Sequence, residues 1–214
     1  MFPLVFTACL AGTPSAPSLP AAPVVDRNAP AELPVPLSSQ AVAVFAGGCF
    51  WCMESDFDKL PGVVATTSGY VGGHTTNPTY EDVTSETTGH AEAVRVVYDT
   101  ATLTYQQVLD WYWRHTDPTD GGGQFCDRGD SYRPAIFYAD DDQKHAAEAS
   151  KAALDATRAL PGPIATQIAP VGTFYGAENY HQDFHHTNPG RYLPYRMGCR
   201  RDAKVAAMWA AVPK

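Results

Sequence analysis

Runs of apolar residues alternate with turn segments rich in Gly, Pro and Thr along most of the chain, and this pattern predicts short strands and helices in alternation. The apolar run at 41–46 ends at Gly47-Gly48, which predicts a buried strand that enters a helix through a glycine turn. Further strands are predicted where Val, Thr, Ala or Ile cluster, at 63–70, 91–98, 135–138 and 166–171. Helices are predicted at 50–60, 104–115, 140–160 and 177–186.

These interleaved elements predict an α+β fold. We expect a two-layer sandwich with a ferredoxin-like mixed sheet, with helices packed mainly on one face. From Thr187 onward the pattern predicts an irregular C-terminal tail. The polar, glycine-rich segment at 117–131 is long for a loop inside a compact domain, and such loops are often functional.

Residues 1–37 differ in composition from the rest, because Ala, Pro and Ser dominate after residue 10. This predicts a linker ahead of one domain at 38–214. The segment Phe6-Thr7-Ala8-Cys9 is similar to a bacterial lipobox, in which small residues precede a cysteine that becomes lipidated. We therefore expect a protein of the bacterial cell envelope or periplasm, lipid-anchored at Cys9. The preceding apolar region is short and carries no basic residue, so a cytoplasmic protein is the alternative.

Composition excludes several classes of partner. The chain has 214 residues, of which 44% are hydrophobic and 18% charged, and this is typical of a globular protein. The formal net charge is -8 and there is no Lys/Arg run, so no nucleic-acid partner is expected. No apolar stretch approaches the roughly 20 residues of a membrane span. We expect a monomer.

The five cysteines are too few for a disulfide-stapled scaffold in a chain of this length. Cys49 and Cys52 form a C-x-x-C pair, whose spacing suits a redox dithiol or half of a zinc site. Because no second ligand pair is present, we expect no metal. Cys49 is predicted at a helix N-terminus, where the helix dipole favours a thiolate. With Phe50 and Trp51 beside it, it would be a nucleophile next to an apolar pocket.

Several segments then point to one family. Gly48-Cys49-Phe50-Trp51 resembles the active-site signature of the peptide methionine sulfoxide reductase A family. Further segments resemble family segments in the same order, namely Asn77-Pro78-Thr79-Tyr80-Glu81, Thr88-Gly89-His90-Ala91-Glu92, Tyr132-Arg133 with Ala135-Ile136, and Tyr180-His181-Gln182. The resemblance covers nearly the whole predicted domain and is far more specific than a lone C-x-x-C pair.

The resemblance implies reduction of methionine S-sulfoxide, free or in proteins, to methionine, as repair of oxidative damage. It implies that the Cys49 thiolate attacks the sulfoxide sulfur. Glu92 matches the family's acid, and burial would raise its pKa so that it can donate a proton to the oxygen. Tyr80 and Tyr132 match the two tyrosines that hold this oxygen.

The resemblance also implies the walls of the site. Phe50 and Trp51 would enclose the S-methyl group through apolar contact. Asp127, in Asp127-Arg128-Gly129, matches a further carboxylate of the active site, placed to hydrogen-bond the substrate amide.

The product on the enzyme would be a sulfenic acid on Cys49. A second cysteine then condenses with it to a disulfide, which thioredoxin or an equivalent dithiol reduces, with no bound cofactor. Because the family's resolving cysteine usually lies in the C-terminal tail, Cys199 is our first choice. Cys52, one helical turn from Cys49, and Cys126, in the long loop, are the alternatives.

A competing hypothesis is a general thiol-disulfide oxidoreductase that uses Cys49 and Cys52. Such a protein would need neither Glu92 nor Tyr80 and Tyr132 in these sequence contexts, so we favour the reductase. A third hypothesis, a Cys/His metal-binding or envelope interaction module, lacks a second ligand pair.

Overall fold

The structure is a computed structural model that describes residues 26–212. Its centre is a six-stranded mixed sheet with the order β7-β6-β1-β3-β2-β8. The strands of this sheet are β1 Gln40–Ala46, β2 Val63–Val71, β3 Ala91–Asp99, β6 Ala135–Tyr138, β7 Gln167–Pro170 and β8 Tyr175–Gly176. Only β6 and β7 pair in parallel, and the other neighbours are antiparallel. A two-stranded hairpin, β4 Gly123–Gln124 and β5 Asp127–Arg128, lies in the long loop.

Seven α-helices connect or follow the strands in the part of the chain that the structure describes. They are α1 Phe50–Phe57, α2 Tyr80–Thr84, α3 Tyr105–Arg114, α4 Asp141–Ala156, α5 Phe184–Thr187, α6 Pro189–Gly198 and α7 Arg201–Trp209. Two short 3-10 helices lie at Asp130–Tyr132 and Asn179–His181.

The period-two pattern of the strands gives the sheet two buried faces. In β1, Phe45 belongs to the larger core cluster, to which α1, α3 and α4 contribute their apolar faces. Its neighbour Val44 points to the opposite face and packs with Phe137 in a second, smaller cluster. The mixed α+β fold with its sheet and helices is therefore confirmed.

Local sequence signals place the helix starts. Thr104 caps α3 by accepting a hydrogen bond from the backbone N–H of Gln107, whose side chain in turn accepts one from the backbone N–H of Thr104. Asp140 caps α4 in the simpler way, through the N–H of Gln143. The helices predicted at 104–115 and 140–160 therefore agree with α3 and α4 to within a few residues, whereas the helix predicted at 177–186 is a 3-10 helix at Asn179–His181 followed by the short α5.

The C-terminal region differs from the predicted irregular tail, because residues 189–209 form α6 and α7. Pro189 stands at the first turn of α6, where a missing N–H costs nothing. Arg200 adopts a left-handed conformation with φ 55° between the two helices and separates them. The prediction failed because Pro194 lies inside α6 and breaks the expected pattern.

Part of the predicted linker contacts the domain. The backbone N–H of Ala31 donates to the carbonyl oxygen of Ala177 at 2.9 Å, and Pro30 forms an isolated β-bridge with Glu178. The proposed lipidation site, Cys9, lies outside the described residues. Within residues 26–212, none of the helices has the length and apolarity needed to span a bilayer.

Candidate active site

Cys49 occupies the N-cap position of α1, directly after the glycine turn that the sequence predicts. Gly48 has φ +82°, in the left-handed region that favours glycine. A Cβ at Gly48 would also lie 2.6 Å from Cβ of Gln124. The turn therefore needs glycine for both its backbone angle and the close approach of the long loop. This turn places Cys49 at the N-terminus of α1.

A cavity of about 210 Å³ opens in front of this cysteine. It is lined by Cys49, Phe50, Trp51, Tyr80, Glu92, Asp127, Tyr132, Arg191 and Tyr195. The structure thus brings together seven of the residues singled out in the sequence, from α1, α2, β3, β5 and a 3-10 helix. Cys52, Cys126 and Cys199 do not line this cavity.

Glu92 supplies a buried carboxyl to the cavity. It lies on β3 next to β2, is only 2% exposed, and accepts a hydrogen bond from the backbone N–H of Phe50 at 2.9 Å. Burial raises the pKa of Glu92 to about 8, and the negative charge of Asp127 adds to this rise, whereas the Phe50 hydrogen bond opposes it. Glu92 is therefore a protonated acid at neutral pH.

Two tyrosines, one at the start of α2 and one at the end of a 3-10 helix, line the same cavity as this carboxyl. Tyr80 is the first residue of α2, and its backbone N–H donates to Oε1 of Glu178 at 2.9 Å. Burial, with the nearby charge of Glu92, raises the pKa of Tyr80 to about 12. The same two causes raise the pKa of Tyr132 even further above its ordinary value. Both hydroxyls therefore stay protonated and can donate hydrogen bonds to an oxygen in the cavity.

Asp127 is held by a residue that the sequence analysis did not identify. The Tyr195 hydroxyl, on α6, donates to Oδ2 of Asp127 at 2.7 Å. Burial raises the pKa of Asp127, and the hydrogen bond from Tyr195 partly offsets this rise. Because Tyr195 also hydrogen-bonds the side chain of Cys49, and Asp127 hydrogen-bonds its backbone, α6 and the long loop both contact this cysteine.

Aromatic side chains form the apolar wall. Trp51 stacks on Phe184 of α5 with ring centroids 3.7 Å apart, and its indole N–H donates to Nδ1 of His181 at 3.0 Å. Phe50 is 1% exposed and packs against the His181 ring at 4.9 Å. Burial lowers the pKa of His181 to about 4, so this ring is neutral where it packs against Phe50 and Trp51.

The two thiols of the C-x-x-C pair are both buried and free. Burial raises the pKa of Cys49 well above its ordinary value, and the hydrogen bond and charge of Cys52 add to this, while Tyr195 opposes it. The pKa of Cys52 is lowered by its hydrogen bond with Cys49 and by the charges of Arg201 and Arg196. The prediction that the helix dipole favours a thiolate at Cys49 therefore neglected burial, which is the largest effect on its pKa and acts in the opposite direction.

The other two cysteines in the described residues are bonded to each other. Cys126, in the turn between β4 and β5, forms a disulfide with Cys199 at the end of α6, with Cα atoms 5.1 Å apart. Cys126 is exposed, whereas Cys199 is 8% exposed. Cys199, predicted to be the resolving cysteine, is thus joined to a residue next to Asp127.

Three residues that shape the site were not predicted from the sequence. Tyr195 and Arg191 line the cavity, and Arg191 lies over the Trp51 ring at 5.5 Å. Glu178 anchors the start of α2 and accepts a hydrogen bond from the Tyr70 hydroxyl at 2.9 Å. Tyr195 stands four residues before Cys199, and this helical spacing was the one signal that could have identified it.

Among the described residues, two groups could offer three ligand atoms to a metal ion. Cys126, Asp127 and Cys199 form one group, but its sulfurs are joined in the disulfide. Asp58, His185 and His186 form the other, which lies outside the cavity described above.

Comparison with known proteins identifies the family of this chain. The family model described as peptide methionine sulfoxide reductase matches residues 41–212. A protein of Listeria monocytogenes named peptide methionine sulfoxide reductase MsrA is 53% identical over 167 residues, which cover 78% of this chain and 94% of that protein. The chain belongs to the peptide methionine sulfoxide reductase family. A Caulobacter vibrioides relative named peptide methionine sulfoxide reductase MsrA 2 is 57% identical, over 78% of this chain and 84% of that protein.

Solved structures of this family have the same fold. Mxr1 of Saccharomyces cerevisiae in its reduced form superposes with a TM-score of 0.67 at 29% identity, covering 71% of this chain and 87% of that one. Methionine sulfoxide reductase A of Corynebacterium diphtheriae gives a TM-score of 0.65 at 34% identity, covering 72% and 77% of the two chains. The family resemblance seen in the sequence is therefore confirmed.

Proposed function

We propose that this protein is a peptide-methionine (S)-S-oxide reductase that acts on free and protein-bound methionine sulfoxide. The observation that carries the proposal is the pairing of a free cysteine with a buried carboxyl whose pKa is about 8, both facing one small cavity. Reduction of a sulfoxide needs a nucleophile for sulfur and a proton for oxygen. Cys49 and Glu92 supply these two groups from adjacent walls.

The reaction begins when the sulfur of Cys49 attacks the sulfoxide sulfur. Glu92 gives its proton to the sulfoxide oxygen, which is a poor leaving group until it is protonated. Tyr80 and Tyr132 hold that oxygen through their hydroxyl groups while negative charge grows on it. Methionine then leaves, and Cys49 remains as a sulfenic acid.

Substrate selection follows from the two kinds of wall. Phe50 and Trp51 form an apolar surface that suits the S-methyl group, and the stacking of Trp51 on Phe184 holds its ring in place. Asp127, on the opposite polar side, accepts a hydrogen bond from the substrate amide. A chiral sulfur held by methyl, oxygen and nucleophile contacts at once fits one epimer only, and the family resemblance implies that this epimer is the S form.

Recycling requires a second thiol. We assign this role first to Cys199, because Tyr195, one turn earlier on α6, already contacts Cys49. Cys52 is the alternative, since it hydrogen-bonds Cys49 directly. A thioredoxin-like dithiol then reduces the disulfide by thiol exchange. The enzyme needs no bound cofactor for this cycle, because the cysteines carry both electrons.

The test is NADPH consumption coupled through thioredoxin reductase and thioredoxin, with the two sulfoxide epimers supplied separately. We expect turnover with the S epimer, none with the R epimer, and none with Cys49→Ser. A general thiol-disulfide oxidoreductase using Cys49 and Cys52 would instead reduce insulin disulfides and turn over neither epimer. Full recycling by Cys199→Ser would move the resolving role to Cys52 or Cys126.

A further inference from the structure

We propose that Arg191 binds a carboxylate of the substrate at the mouth of the cavity, so that the enzyme favours methionine sulfoxide that carries a carboxylate close to the reacting sulfur. This inference rests on the proposed function and narrows the substrate class of the same site. The carboxylate has two sources. It is the α-carboxylate of the free amino acid or of a C-terminal residue, or it belongs to an acidic side chain next to the oxidised methionine in a protein.

The size of the cavity leaves the amino and carboxyl groups of the substrate at its mouth. Its volume is about 210 Å³. Pockets that enclose a whole ligand are larger, roughly 300–1,000 Å³. In the proposed function the sulfoxide end lies between Cys49, Glu92 and the aromatic wall. The methylene groups of methionine then carry the α-carbon outward, so a side chain at the mouth contacts the groups attached to that carbon.

Arg191 lies at this mouth with its charge unpaired. It is exposed, it lines the cavity, and its guanidinium lies 5.5 Å from the ring centroid of Trp51 and 5.8 Å from that of Phe184. Among the residues that the structure describes, none forms an ion pair or a side-chain hydrogen bond with this guanidinium. The aromatic faces hold the guanidinium in place. Its planar fork of N–H donors is left free, and such a fork matches the geometry of a carboxylate.

Helix stability does not account for a cation at this position. Arg191 is the third residue of α6, whose first turn contains no acidic residue. The positive end of the helix dipole lies in the first turn, where it favours anions and disfavours cations. Arg191 and the dipole therefore both favour a negative group at this side of the mouth. The charge of Arg191 also acts on the wall, because it adds to the burial that lowers the pKa of His181, whereas the charge of Glu81 opposes this.

The carboxyl groups inside the cavity do not neutralise this charge. Glu92 is protonated at neutral pH, since burial raises its pKa to about 8. Asp127 already accepts the hydrogen bond from the Tyr195 hydroxyl at 2.7 Å, and in the proposed function it also accepts one from the substrate amide. Asp127 lies on β5 and Arg191 on α6, so different elements supply the two groups. The amino side of methionine is thus bound by Asp127, and the carboxyl side is left for Arg191.

Matched substrates test the inference through initial rates in the coupled thioredoxin assay. The first pair is the S-sulfoxide of N-acetylmethionine and its N-methylamide, which lacks the carboxylate. The second pair is an acetylated dipeptide methylamide in which Glu or Gln follows the methionine S-sulfoxide. In at least one pair we expect kcat/KM to be about fivefold higher for the carboxylate, the upper end of the effect of an exposed ion pair. The gain should lie in KM rather than kcat, because the carboxylate is bound equally in the ground and transition states.

Substitutions of Arg191 assign the preference to this side chain. Arg191→Gln removes the charge and should abolish the preference, whereas Arg191→Lys keeps the charge and should retain part of it. Lys204→Gln is the matched control, because Lys204 is an exposed cation of α7 that does not line the cavity, and it should keep the wild-type preference. Salt gives a measurement that needs no variant. Because salt screens exposed charges, about 1 M NaCl should reduce the wild-type preference.

The two pairs distinguish the sources of the carboxylate. A preference within the first pair assigns it to the α-carboxylate, and a preference for Glu over Gln assigns it to an acidic neighbour; either preference, if lost in Arg191→Gln, supports the inference. Wild-type values within about twofold in both pairs, or a preference that persists in Arg191→Gln, would overturn it. An equal loss of kcat/KM for both members of a pair in Arg191→Gln would also overturn it, because Arg191 would then only hold the aromatic wall. Absence of turnover with every substrate would instead refute the proposed function.

Discussion

Glu92→Gln is the substitution that tests the chemistry of the site most directly. The amide keeps the size of the side chain and can still accept the hydrogen bond from the Phe50 backbone N–H. It cannot release a proton. Because positioned general acids contribute about 10²- to 10⁴-fold to rate, we expect the rate of the first reduction to fall by at least about 10²-fold. The fold itself should persist.

The pKa of Glu92 predicts how the rate of the first reduction changes with pH. With a pKa of about 8, Glu92 is about 90% protonated at pH 7 and about 10% protonated at pH 9. The wild-type rate of the first reduction should therefore decline as pH rises through about 8. Ionisation of the Cys49 thiol acts in the opposite sense, since it increases the thiolate with pH, so the declining limb reports the acid.

The free energy of unfolding should also depend on pH through the ionisation of Glu92. The pKa of Glu92 is raised from 4.5 to about 8, so the folded chain keeps a proton that the unfolded chain loses above about 4.5. The contribution of this group to the free energy of unfolding is therefore largest below about pH 4.5. It declines as the pH rises and levels off above about pH 8. Glu92→Gln removes this dependence, so at pH 9 the variant should be more stable than the wild-type chain by a few kcal/mol.

The assay is single-turnover methionine release followed by quenched flow between pH 6 and 10. Glu54→Gln is the matched control, because burial also raises the pKa of Glu54 to about 8 but its carboxyl does not line the cavity. We expect the control to keep the declining limb and Glu92→Gln to lose it. A Glu92→Gln rate within about threefold of wild type, or a declining limb that persists in that variant, would refute the role of Glu92 as the acid.

Two further substitutions test the scaffold and the nucleophile. Gly48→Ala should lower the free energy of unfolding by about 2–4 kcal/mol in urea denaturation, because φ is +82° and the new Cβ meets a side-chain atom at 2.6 Å. Gly190→Ala, in the first turn of α6 where a Cβ meets nothing within 4 Å, should leave it unchanged or raise it by up to about 1 kcal/mol, and a loss equal to that of Gly48→Ala would contradict the argument. Tyr195→Phe removes a hydrogen bond that lowers the pKa of Cys49, so alkylation of Cys49 by iodoacetamide should shift to higher pH. An unchanged pH profile would show that the hydroxyl does not influence the thiol.

Local sequence information was enough for the parts of the fold whose signals lie within a few residues. The apolar strand β1, the glycine turn and the start of α1 follow from one stretch, and so does the position of Cys49 at the helix N-terminus. The capped helices α3 and α4 follow from Thr104 and Asp140. By contrast, α6 was not predicted, because it contains a proline. This helix is stabilised by packing against the domain rather than by its local sequence.

The family motifs allowed the candidate site to be predicted as a set of residues, but not its electrostatics. Without the family motifs, Glu92 would resemble any glutamate in a strand. Its pKa is about 8 only because the tertiary fold buries it, so that the residue is 2% exposed. The same burial reverses the ionisation expected of Cys49 from its helix position. Desolvation depends on every neighbour at once, and no local pattern encodes it.

The bonding of the cysteines depends on the tertiary structure most clearly of all. By itself the sequence determined the glycine turn, the candidate nucleophile Cys49 and its aromatic neighbours, because these are consecutive residues. Only the tertiary structure decided that Cys126 meets Cys199 across 73 residues and that Tyr195 reaches Asp127 across 68. Such partners are selected by how the long loop and α6 pack against each other, and that depends on the whole domain rather than on any local sequence pattern.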